Sequence, residues 1–229
     1  MTQTFEAASL DAEACYKLMS GVVVPRPIAW ITTQSAQGVV NLAPFSCYTF
    51  VCSKPPMVGI NMGLRDDQRK DTCRNIIEQG EFVINIGDET QAEAIHQSAA
   101  ELPPEVSEVE LLGLRLSPST LIRTPRLSDV PAALECRLHS IQSFGDTGAE
   151  FVVAEVVAFQ FRDGVCTDGK IDIQRLRPLA RIGGPHYARL GDLITLSPVQ
   201  RSPQKLLSSS RDKPSSISAT TPKRTGDTV

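Results

Sequence analysis

From Val22 to Ile86 the chain is a succession of short extended segments, each closed by a proline, a glycine or a turn cluster. Residues 28–33 are β-branched and aromatic and read as a strand, residues 34–38 as a turn, and residues 39–43 as the resumed strand, which Pro44 ends. Residues 48–52, 57–62 and 81–86 are extended again. Pro25 and Pro27 flank Arg26 and withhold two N–H donors, which puts that stretch at a bend or a sheet edge. Further strands follow at 114–117, 132–144 and 150–161, the last two joined by the turn Asp146-Thr147-Gly148. Many short strands with few helices leave exposed edges unless the sheet closes. The expected fold is therefore mainly β with a few helices, an antiparallel barrel. No GxGxxG follows a strand, so a doubly wound dinucleotide-binding domain is not expected.

Helices are expected at three places. Ser9 or Asp11 caps a first one, with Tyr16, Leu18 and Met19 on its apolar face, before Gly21 breaks it. Asp71 or Thr72 caps a second that runs to Gln79, with Ile76 and Ile77 inward and Gly80 at its C-terminal end. A third spans residues 89–100 and stops before Pro103-Pro104.

Composition narrows the function classes. The net charge of -3 over 229 residues gives no general attraction to nucleic acid or to an anionic membrane. No apolar run reaches the roughly 18–20 residues that span a bilayer, and the N-terminus is acidic where a signal peptide is basic. A cytoplasmic location is expected. The six cysteines form no CxxC pair and, Cys136 near His139 excepted, lie far from the three histidines, so they read as small buried hydrophobes and no metal site is expected. Residues 197–229 are rich in Ser, Thr and Pro and hold six Lys/Arg against two Asp/Glu. They read as a disordered basic tail behind one domain of residues 1–196.

Two segments carry chemistry. Lys70-Asp71-Thr72 opens a helix, where free N–H groups, the partial positive charge of the helix end, a lysine and a hydroxyl together suit a phosphate monoester. Asp71 there would cap the helix or orient Lys70. The segment Asn41-Leu42-Ala43-Pro44-Phe45-Ser46 offers small residues and a stiff turn, so a planar ring can approach its backbone. Asn41 adds a donor and an acceptor, as a pyrimidine rim requires. Alone, the first segment reads as an ordinary capped surface helix and the second as a plain β-bend. Their occurrence together, in this order, favours a phosphorylated flat ligand.

These segments also carry a resemblance. PRPIAWITT (25–33), NLAPFSCYTF (41–50), KPP (54–56), KDTCRN (70–75), EFVINI (81–86) and RIGGPHY (181–187) are similar to the flavin reductase-like, FMN-binding split-barrel proteins, in particular the flavoredoxin-type branch. The resemblance covers roughly residues 15–196. It implies a six-stranded Greek-key split β-barrel that forms a homodimer, with FMN near the interface. It places ring and ribityl contacts at Pro27, Thr32, Asn41, Ala43, Pro44, Phe45, Ser46 and Tyr48, and phosphate contacts at Lys70, Asp71 and Thr72. Arg26 would meet phosphate or the partner subunit, or form a surface ion pair.

The implied activity is NAD(P)H-dependent flavin reduction, with electrons passed to free flavin, a partner oxygenase or another acceptor. Such chemistry belongs to the flavin and needs no protein acid or base, in keeping with a sequence that shows no catalytic triad. Some members have a late Gly-Asp-His that meets the nicotinamide; here Gly184-Pro185-His186-Tyr187 stands instead, so His186 and Tyr187 are the candidates for contact with flavin or substrate. Two other readings remain open. One is an electron carrier with tightly bound FMN and no nicotinamide site. The other is a barrel that binds a different ligand without redox chemistry.

Overall fold

The computed structural model describes residues 1–199. Met1–Gly191 form one unit, and residues 192–199 carry neither helix nor strand. The tail expected from Ser197 onward lies, from residue 200, outside the described residues. In chain order the elements are α1 (Ala12–Val22), β1 (Arg26–Pro27), β2 (Ala29–Gln34), β3 (Val40–Phe45), β4 (Tyr48–Ser53), β5 (Pro56–Met62), α2 (Asp71–Gln79), β6 (Glu81–Ile86), α3 (Ala92–Gln97), α4 (Glu108–Leu111), β7 (Leu116–Ser117), β8 (Arg126–Leu127), β9 (Ala132–Phe144), β10 (Ala149–Phe161), β11 (Cys166–Thr167), β12 (Lys170–Ile171), α5 (Ile173–Leu176), β13 (Ala180–Gly183) and β14 (His186–Ala188).

The main sheet has seven strands in the order β3-β2-β6-β9-β10-β5-β4, and every neighbouring pair is antiparallel. Its two edge strands, β3 and β4, are consecutive in the chain and separated only by Ser46 and Cys47. Flat, six gaps of about 4.8 Å would hold those edges about 29 Å apart. The three residue steps from Phe45 to Tyr48 reach about 11 Å at most. The sheet must therefore curl until its edges nearly meet. No β3–β4 ladder forms, so the result is an antiparallel split β-barrel, with the split at Pro44–Ser46. The main sheet counts seven strands rather than six because the hairpin strand β4 adds to the edge of β5.

Pro44 does not end the strand as expected. It pairs with Trp30 inside β3, where an edge position spares the missing N–H. The central strands bury both faces. Ala29, Ile31, Phe82 and Ile84 point into the barrel with Ile60 and Val152, while Trp30, Leu42 and Val83 point outward under Ile95, Val109 and Leu127. This two-sided burial follows from the period-two alternation of apolar strands clothed by helices and loops.

α2 plugs the interior with Cys73 and Ile76. Ile77, expected inward, is exposed, because the next residue on a helix turns about 100° away. Gly80 takes φ 72° at the C-terminal end of α2 and donates its N–H to Ile76. The third helix is shorter than expected: a 3₁₀ turn at Glu89–Gln91, capped by Asp88, precedes α3. At Gly59 on β5 a Cβ would overlap the Phe151 ring. Gly59→Ala is expected to cost about 1–3 kcal/mol of stability by overpacking, read as a lowered urea midpoint with an unchanged slope.

Candidate functional site

Two cavities adjoin at the split. The first, about 100 Å³, is lined by Asn41, Ala43, Pro44, Phe45, Arg65, Lys70, Asp71, Thr72, Glu108 and the end of α3 from Ser98. The second, about 280 Å³, shares Pro44, Phe45 and Ala99 with the first and adds Ser46, Arg26, Tyr16, Ser20, Arg181 and Tyr187 among others.

In the first cavity α2 begins at Asp71 with Lys70 as its cap residue, and no side chain caps it. Its first-turn N–H groups are therefore not taken by a cap side chain. Lys70 is half-buried, with its ammonium 5.8 Å from the Phe45 ring centre. Burial and the nearby Arg65 guanidinium hold its pKa below the usual lysine value. Two cations thus face one small space, with the exposed Glu101 paired to Arg65 at 2.9 Å.

The floor is a buried polar network. Thr72, 1% exposed, donates its hydroxyl to Asn41 Oδ1 at 2.8 Å. Asn41 Nδ2 donates to both oxygens of Glu108 at 3.0 Å, and the Leu42 N–H donates to Glu108 at 2.8 Å. Burial pushes the Glu108 carboxyl above the usual range. The sequence reading missed Glu108, since nothing local marks it.

The loop that delivers Lys70 is tied to the barrel wall. Arg69 forks onto Glu150 of β10 through Nε at 2.9 Å and Nη2 at 2.6 Å, and the Cys73 thiol donates to the same carboxylate at 3.3 Å. Burial pushes that thiol up to about 12, so it stays a neutral donor. The Arg69 hydrogen bonds hold the Glu150 carboxyl below its ordinary range. A depressed carboxyl stabilises the fold above its unfolded pKa, and that contribution disappears as pH falls through the lowered value. On acidification below about pH 4.3, the melting temperature of the wild type is expected to fall more steeply than that of Glu150→Gln.

In the second cavity Arg26 is 7% exposed. It donates to Ser20 O at 2.5 Å, Val23 O at 2.9 Å and Ser46 Oγ at 3.3 Å. Tyr187 is gripped from two sides. The Arg181 guanidinium lies 4.7 Å from its ring centre and donates to its hydroxyl, and His96 Nδ1 is 3.1 Å from the same oxygen.

Comparison with known proteins decides the family. The flavin reductase like domain matches residues 19–175. The chain belongs to the flavin reductase-like family. An uncharacterized protein of Halalkalibacterium halodurans is 42% identical over 193 residues, covering 82% of this chain and 92% of that one. Nitrilotriacetate monooxygenase component B from Bacillus cereus superposes with a TM-score of 0.83 at 33% identity, over 86% of this chain and 99% of that one. The 2-nitrobenzoate 2-nitroreductase NbaA of Pseudomonas fluorescens gives 0.78 at 34% identity, over 88% and 98%.

Set in this flavin reductase-like barrel, the residues singled out from the sequence divide. Asn41, Ala43, Pro44, Phe45, Lys70, Asp71 and Thr72 line the first cavity, and Pro44, Phe45, Ser46 and Tyr187 the second. Pro27, Thr32, Tyr48 and His186 line neither. Thr32 is fully buried; its hydroxyl donates to Pro125 O at 2.7 Å and accepts from Asn85. Tyr48 packs on the barrel interior, and burial pushes its phenol up to about 12. His186 and Pro27 are exposed on short strands.

Three roles change. Asp71 neither caps α2 nor contacts Lys70; it pairs with Arg74, one helical turn on, at 2.5 Å. Asn41 is engaged on both sides by Glu108 and Thr72 and faces the Lys70 cavity rather than the Ser46 one. Thr72 spends its proton on Asn41 and so shapes the floor. Arg65 and Arg181 went unrecognised, the first hidden in a charged loop and the second inside RIGGPHY.

Proposed function

We propose that this chain is an FMN-binding oxidoreductase that draws electrons from NAD(P)H and passes them to free flavin, a partner oxygenase or another acceptor. The observation that carries the reading is the cation pair Lys70 and Arg65 at the uncapped start of α2, one wall away from a cavity floored by Pro44, Phe45 and Ser46. The donor set fits the group. Lys70, Arg65 and the α2 N–H groups would hold a phosphate, and the small, stiff backbone at Ala43–Ser46 would border the ring. Glu108 keeps Asn41 and Leu42 fixed beneath. When bound, the flavin supplies the hydride-accepting centre. The chain's own contribution would be to anchor the phosphate at Lys70 and Arg65 and to border the ring with the backbone of Ala43–Ser46.

Membership of the flavin reductase-like family supports flavin-linked redox chemistry, and the likeness to a monooxygenase component B from Bacillus cereus supports an oxygenase partner. Homodimerisation is part of the proposal. α1 buries none of its residues and leaves Tyr16, Met19 and Val22 at 67%, 63% and 78% exposure. Tyr16 and Ser20 of that helix also line the second cavity, so a partner seated on α1 would border the ring site.

The purified protein is expected to take up FMN and to lose the flavin absorbance when mixed anaerobically with NADH or NADPH. Uptake without bleaching would replace the reductase by an electron carrier, the reading favoured by Gly184-Pro185-His186 standing where other members have Gly-Asp-His. A protein that takes up no FMN would refute both.

A further inference from the structure

The second cavity holds a cation pair of its own. Arg26 and Arg181 are direct cross-strand partners in the β1–β13 ladder, and both line this cavity. Like charges placed opposite one another on paired strands repel. Among the described residues neither has a carboxylate within ion-pair distance, and the hydrogen bonds of both go to neutral oxygens. Arg26 is also nearly buried, where an uncompensated charge is costly. Such a pair is tolerated where an anion completes it.

We infer that Arg26 and Arg181 form a second oxyanion subsite, which holds a carboxylate or phosphate of the co-substrate that meets the ring. This rests on the flavin reading above. FMN carries one phosphate, and Lys70 with Arg65 already accounts for it in the neighbouring cavity. A second cation pair calls for a second anion, and the co-substrate brings it. Arg181 is prepared for that role: Tyr187 stacks under its guanidinium and His96 steadies the Tyr187 hydroxyl. Arg26 is held rigidly by Ser20, Val23 and Ser46 and acts as a fixed charge behind it. Tyr16, Ile28, Pro44 and Phe45 give the rest of the wall an apolar, aromatic character suited to a flat organic anion.

The test is calorimetric titration of the FMN-loaded protein with nitrobenzoate and with its neutral twin nitrobenzamide, and with tetrahydronicotinamide mononucleotide, which cannot give a hydride to the flavin, against the corresponding riboside, which lacks phosphate. At least one charged member is expected to bind about tenfold more tightly than its neutral twin, the scale of one charge-assisted contact. Arg181→Gln should abolish that preference and Arg181→Lys restore part of it. A preference within the first pair identifies a carboxylate, and within the second a phosphate; both support the subsite. Equal affinities in both pairs, or an equal loss for charged and neutral ligands in Arg181→Gln, overturn it. So does a fall in the midpoint potential of bound FMN in Arg181→Gln with the ligand preference intact, which would assign the arginine to the reduced ring. If the protein takes up no FMN, the flavin reading fails by itself. The same titrations of the flavin-free protein then decide the anion subsite by the same criteria.

Discussion

Replacing Lys70 by alanine is expected to weaken FMN binding by about 1.5–3 kcal/mol, the range of a hydrogen bond assisted by charge. The ammonium is half-buried, and no salt bridge holds it among the described residues. Burial and the neighbouring Arg65 guanidinium lower its pKa, so an incoming anion would offset a cost that the folded chain imposes on this charge. The loss should be measured as a dissociation constant by quenching of flavin fluorescence. Arg65 shares the cavity, so Lys70→Ala and Arg65→Ala should be non-additive in a double-mutant cycle. An unchanged dissociation constant in Lys70→Ala would place the phosphate elsewhere.

The largest loss of stability is expected at Trp30. Its side chain is fully buried on the outer face of β2, and its indole N–H donates to Ser98 Oγ at 2.8 Å. Trp30→Ala should cost about 3–5 kcal/mol through the cavity left behind, with Ser98 losing a partner as well. Trp30→Phe fills much of that space and should cost less. Ser98 and Ala99 also border the first cavity, so Trp30→Ala should weaken FMN binding even where the fold persists. Urea denaturation and flavin titration of the two variants separate these effects. A Trp30→Ala protein as stable as the wild type would contradict this packing.

Much of the fold is legible in the sequence because it is written in local chemistry. The hairpin of β9 and β10 follows from alternation on either side of Asp146-Thr147-Gly148, and the boundaries at 132–144 and 149–161 match the expected ones to within one residue. α2 is bounded by Lys70 and by Gly80, whose positive φ suits glycine alone at little cost. At the site, Lys70 and the Ala43–Ser46 bend are readable from charge and residue size.

Two of the sequence readings meet a different local geometry. Adjacency in the chain points Asp71 at Lys70, yet a helix brings together residues three or four apart, and Asp71 meets Arg74. Thr32 sits in a strand motif that resembles flavin-contacting ones, but the two faces of β2 are both covered, and its hydroxyl is used inside.

By itself the sequence determined the class of fold, the extent of its long strands, the start of α2 and the lysine that stands there, since these depend on periodicity, turn chemistry and the electrostatics of a helix end. Only the tertiary structure decided that Glu108 underpins Asn41, that Arg65 joins Lys70, and that Arg181 stands opposite Arg26. Those meetings depend on strand register and on how tightly the sheet curls to bring β3 beside β4. Both are set by the summed packing of the whole barrel, which no short stretch of chain contains.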